Sequence, residues 1–173
     1  MTSAKKFNAV AVSATPDQLI VSILEHVDAA SAETAAPRLR RSHIRQALLL
    51  NNQLITALDE HVSEEASQFW RTMAFDIKKW DADADADMRR IARPGPELLR
   101  HAQEDIVRQL DEVRSLAKEI KDGNPRYQRP GEKEEYAWMT AGRISNKLAI
   151  AEIRTRQIIY GVSGKKPARS PRI

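Results

Sequence analysis

A chain of 173 residues has room for one compact domain or an elongated helical body with loose ends, and two full domains would be cramped. Six glycines and few aromatics, beside many Ala, Leu, Ile, Arg and Glu, favour helices over a β-sandwich. The absence of cysteine removes disulfides, thiolate metal sites and a cysteine nucleophile, so a cytoplasmic setting is the expectation.

The opening "MTSAKKFNAVAVSATPDQ" has the lysines of a signal peptide, but its apolar run is short and interrupted by Asn8, so residues 1–14 are read as an N-terminal arm. No run of about 18 apolar residues exists, which excludes a membrane span. Thr15-Pro16-Asp17 reads as an N-cap followed by a helix-starting proline, and Leu19, Ile20, Ile23, Leu24 and Val27 recur at helical spacing, predicting a helix over 16–30. Pro37 fits the first turn of a second helix, with Thr34 or a neighbour as cap.

From Ile44 an apolar stripe continues through Ile55, Ala66 and Ile77 at an eleven-residue period close to the α-helical one. Residues 37–80 could thus be one long helix. Ser63 followed by Glu64 and Glu65 is a good N-cap, however, and a break there is the reading adopted. The acidic run "DADADAD" after Trp80 imitates a calcium loop, but a frame starting at Asp81 puts Ala86 where the turn glycine belongs and Ala92 where the closing glutamate belongs. Its expected role is a soluble connection.

"ARPGPE" at 92–97 is a firm boundary. A helix over 97–122 follows, with Leu99, Ile106, Val113 and Ile120 every seven residues, and Gly123-Asn124-Pro125 stops it. A last helix over 132–160 presents Ala137, Ala141, Ile144, Leu148, Ala151 and Ile158 on one face, with Gly161 as C-cap and residues 162–173 as a flexible basic tail. The expected fold is all-α: an elongated bundle of four to five long antiparallel helices forming a single domain over 15–161, packed against partners or copies through its apolar stripes.

His26, His43, His61 and His101 are scattered along the chain, and no metal, cofactor or nucleophile signature is present, so a non-enzymatic protein without a cofactor is expected. The formal net charge is +4, unevenly spread: residues 37–50 carry +4, residues 136–160 +3 and residues 161–173 +4. Arg38, Arg41 and Arg45 lie on one helical line, where cations oppose the helix dipole unless an anion or an acidic neighbour such as Asp105 or Glu112 meets them. Arg143, Lys147 and Arg154 form a second line that continues into Lys165, Lys166, Arg169 and Arg172. A basic stripe running into a basic arm is the footprint of a phosphate-backbone binder, with Tyr127, Tyr136, Trp138 and Tyr160 as candidates to stack bases.

In size, helicity and basic face the chain resembles in type the small all-helical subunits of CRISPR effector complexes, without a shared motif. The expected function is a nucleoprotein-assembly subunit holding DNA or RNA without reading sequence. The alternative is a helical protein adaptor or assembly factor, of a phage or secretion kind, with no nucleic-acid contact.

Overall fold

The computed structural model describes residues 14–60, 62–65, 68, 95–123 and 132–163, with side chains as far as 160. Among these residues the protein is all-helical, with four long helices and no strand.

The first helix, α1 (Pro16–Ser31), starts on a reciprocal capping box: the Gln18 amide donates to Thr15 Oγ1 at 3.3 Å, and the Thr15 amide donates to Gln18 Oε1 at 2.9 Å. A tight turn closed by the Ala35 amide on the Ala32 carbonyl leads to α2 (Pro37–Asp59). Its N-cap is Ala36, with no side-chain hydrogen bond, so the expected Thr34 cap is not used. The missing cap is tolerable because Pro37 has no amide to satisfy. Helix α2 stops at Asp59, and Val62 and Ser63 are not helical, so the chain breaks four residues ahead of Ser63 and the single helix over 37–80 is excluded. The rest of that stripe, with Ala66 and Ile77, and the aspartate run lie outside the described residues.

Helix α3 (Pro96–Asp122) begins and ends where the sequence indicates, and Gly123 adopts φ 70° as its amide donates back to the Glu119 carbonyl. That left-handed conformation is why glycine belongs there. The last helix, α4 (Glu132–Ser163), runs through Gly161 instead of ending at it. A glycine within a helix costs only about 1 kcal/mol, so it marks an end only when the chain also turns there.

Helix α1 packs on α2, α2 on α4, α4 on α3, and α3 back on α1, so the four close into a ring. The cross-helix pairs fix directions. Arg40 reaches Ala30 while His43 meets His26, Arg41 reaches Glu152 while Asn51 reaches Ala141, and Arg154 reaches Asp105 while Lys147 reaches Glu112, so each of these three neighbouring pairs is antiparallel. It follows that α2 and α3 occupy diagonal corners and run the same way.

The interior is filled by Ile20, Ile23 and Val27 of α1, Ile44, Leu48, Leu54 and Ile55 of α2, Ile106, Leu110 and Val113 of α3, and Ile144 and Leu148 of α4. Each is worth roughly 1.5–3 kcal/mol of transfer free energy, which makes this core the dominant stabilising term. Polar residues interrupt it, Asn51 among them. Asn51 is fully buried and donates through Nδ2 to the Ala141 carbonyl at 2.8 Å and Ser145 Oγ at 2.7 Å, while its Oδ1 has no partner among the described residues.

Candidate functional site

The polar chemistry of the bundle is concentrated along its two seams with α4. On the α2 side, Glu152 is 0% exposed and sits among three guanidiniums. Arg156 Nε donates to both of its carboxylate oxygens at 2.8 Å, Arg41 Nε donates to Oε1 at 2.9 Å, and Arg45 Nη1 lies 3.8 Å away. Arg156 is itself buried, so this is a charge cluster inside the fold and not on it. The carboxylate is the counter-charge that these guanidiniums share.

On the α3 side, Asp105 accepts from Arg154 Nε at 2.8 Å, from Gln109 Nε2 at 3.2 Å and from Arg108. Burial raises the Asp105 pKa, but the hydrogen bonds from Arg154, Gln109 and Arg108 outweigh it and hold the carboxyl below the usual aspartate value. Around the pair opens a cleft of about 400 Å³ lined by Leu98, His101, Ala102 and Glu104. Further along the same seam Lys147 Nζ meets Glu112 at 2.5 Å, and the Tyr136 hydroxyl donates to Glu119 at 2.7 Å.

The candidate backbone-binding residues therefore divide. Arg41, Arg45, Lys147 and Arg154 are engaged with acids of the same bundle. Arg38 and Arg143 are exposed, on α2 and α4, and take no ion-pair partner among the described residues. Of the stacking candidates, Trp138 is buried in the core cluster, while Tyr136 and Tyr160 are half-buried. Tyr127, Lys165, Lys166 and Arg169 lie outside the described residues.

Sequence reasoning named the right acids for the wrong bases. Asp105 and Glu112 pair with Arg154 and Lys147 because α3 packs on α4, and Arg41 and Arg45 meet Glu152 instead. Arg40 was passed over. Its position one turn before Ile44, on the apolar stripe, was the available signal: the side chain is 5% exposed, with Nε on the Ala30 carbonyl at 2.8 Å and Nη2 on the Ala32 carbonyl at 3.2 Å. Burial pulls its pKa below the ordinary arginine value.

The four helices are nearly balanced in charge, and residues 161–173 hold four basic side chains and no acidic one. Helix α1 carries Asp17, Glu25 and Asp28 and no lysine or arginine. Among the described residues no helix is long and apolar enough to cross a membrane. No protein-family model matches the chain, nor does any curated protein or solved structure match it.

Proposed function

We propose that the chain is a non-enzymatic helical subunit of a cytoplasmic nucleoprotein assembly, which holds a nucleic-acid phosphate backbone without reading its sequence. The observation that carries this reading is how charge is distributed along the sequence. The four helices are nearly balanced and engage most of their seam cations with their own carboxylates, whereas residues 161–173 carry Lys165, Lys166, Arg169 and Arg172 and no acidic residue. Such segments bind phosphate by counterion release, which needs charge density and not a preformed pocket. Arg38 and Arg143, exposed on the bundle, would extend that contact.

The outer face of α2 favours a second role beside it. From Gln46 to Leu58 the helix has no charged residue, and Leu39 and Leu49 are 54% and 39% exposed. A depletion of charge is what distinguishes the centre of a protein interface from ordinary surface. If the chain is only an adaptor, this face carries its function and nucleic acid plays no part.

Binding of the full chain to a mixed-sequence single strand and to a duplex across a salt series separates the two. The proposal expects affinity to fall linearly in log–log form, by about 0.7 per phosphate contact on the single strand and about 0.9 on the duplex. No binding at low salt would leave the adaptor reading.

A further inference from the structure

The outer ridge of α2 carries opposite charges at equal distances from its middle. Eleven residues make three helical turns to within about 20°, so Arg38, Leu49 and Glu60 stand on one line, each about 16 Å from the next. Glu60 caps the helix at φ −62° and ψ −19°, still helical, and so continues that line. Seven residues make two turns to within about 20°, which sets Ser42 and Thr56 on the same line, one on either side of Leu49. All five are exposed, Leu49 by 39%. The ridge thus runs from a cation through a hydroxyl, an apolar side chain and a second hydroxyl to an anion.

Such a ridge is complementary to a copy of itself turned end for end. A two-fold axis at Leu49 sets the two Leu49 side chains against each other, Ser42 opposite Thr56 of the second copy, and Arg38 opposite its Glu60, and the symmetry makes each of the last two contacts twice. The Thr56 hydroxyl already donates to the Asn52 carbonyl at 3.0 Å, which leaves its lone pairs to accept from Ser42. A copy laid parallel would instead set Arg38 against Arg38 and Glu60 against Glu60, and like charges repel. Glu64 and Glu65, both exposed just beyond the acidic end, strengthen that preference.

We infer that the chain forms an antiparallel homodimer through the outer face of α2, with the two-fold axis at Leu49. One pair of helices in contact over about 35 Å lies at the small end of specific interfaces, so the dimer exchanges with monomer at micromolar concentration. The inference stands whether or not the chain holds nucleic acid. Where it does, Arg38 is committed to the second copy, the phosphate contact on the bundle falls to Arg143, and each dimer presents the cations of residues 161–173 twice.

The test is sedimentation velocity of the full chain, without nucleic acid, from micromolar to submillimolar concentration, where monomer should pass into dimer. Arg38→Glu and Glu60→Arg each turn both end contacts repulsive and should each weaken the dimer by about tenfold or more. An equimolar mixture of the two variants should recover it, because every contact then joins a guanidinium to a carboxylate again. The chain has no cysteine, so Leu49→Cys places a single thiol at the axis, where facing Cα atoms of packed helices are about 5 Å apart and within disulfide reach. Under mild oxidation it should cross-link at least about tenfold faster than Ser115→Cys, exposed on α3, and this reads the interface with both end charges intact even if a charge variant fails to fold. A chain monomeric throughout, single variants that associate as the parent does, a mixture no stronger than either variant, or cross-linking at 49 no faster than at 115 would each overturn the inference.

Discussion

Replacing Arg40 by methionine tests how α1 is joined to α2. Methionine keeps an unbranched stem of similar girth and removes the guanidinium, so the packing is preserved while the hydrogen bonds are lost. The two carbonyls involved are unequal. Ala30 is 0% exposed, so its oxygen, 2.8 Å from Arg40 Nε, has no water to replace the donor, and stranding it costs about 1–3 kcal/mol. Ala32 is exposed, and water takes over there at little cost. The positive charge adds little of its own, because the burial that lowers the Arg40 pKa offsets the favourable end of the α1 dipole. The net expectation is a loss of about 2 kcal/mol, or roughly 4–8 °C in Tm for a chain of this length. Urea unfolding followed by circular dichroism should show a lower midpoint at unchanged slope. Arg38→Met, two residues away and exposed, should stay within about 0.5 kcal/mol of the parent. If Arg40→Met matched that control or proved more stable, the buried arginine would be a burden on the joint and the account of it would be wrong.

The other seams make their own predictions. Because the folded pKa of Asp105 is depressed, its contribution is present at neutral pH and lost as pH falls through the folded value; Asp105→Asn should cost about 1–2 kcal/mol at pH 7 and make stability less steep below about pH 4, measurable as Tm against pH. Glu152→Gln withdraws the buried charge shared by Arg41, Arg45 and Arg156 and should cost about 3 kcal/mol in denaturant unfolding, whereas an effect under about 1 kcal/mol would contradict the cluster. At Asn51, leucine removes the unpartnered Oδ1 but strands the buried Ala141 carbonyl and Ser145 hydroxyl, so it should cost about 1–3 kcal/mol, while aspartate, which buries a charge in the core, should cost more than leucine.

Much of the fold was legible because it is written in local signals. Prolines 16, 37 and 96 start helices, Gly123 stops one, and the seven-residue spacing of Ile106, Val113 and Ile120 is the buried face of α3. What was not legible depends on which helices are neighbours. The ring order sets α2 against α4, and only with that order known does Glu152 become the partner of Arg41, or Asp105 the partner of Arg154. The pairing of His26 with His43 needed the antiparallel register of α1 and α2, which an apolar pattern does not supply. Reading apolar residues alone also hid Arg40, Asn51 and Arg156, polar side chains at positions the core encloses.

The central claim, that Lys165, Lys166, Arg169 and Arg172 hold the phosphate backbone while the seam cations hold the fold, has one direct measurement. Anisotropy of a labelled single strand against salt is compared for the parent chain, for Lys165, Lys166, Arg169 and Arg172 all changed to Ala, and for Lys147→Ala with Arg154→Ala, each confirmed as folded by circular dichroism. The account predicts that the fourfold change lowers the salt slope by up to about 3 and weakens binding at every salt concentration, with the seam pair close to the parent. Loss of binding from the seam pair, with the fourfold variant unaffected, would contradict it.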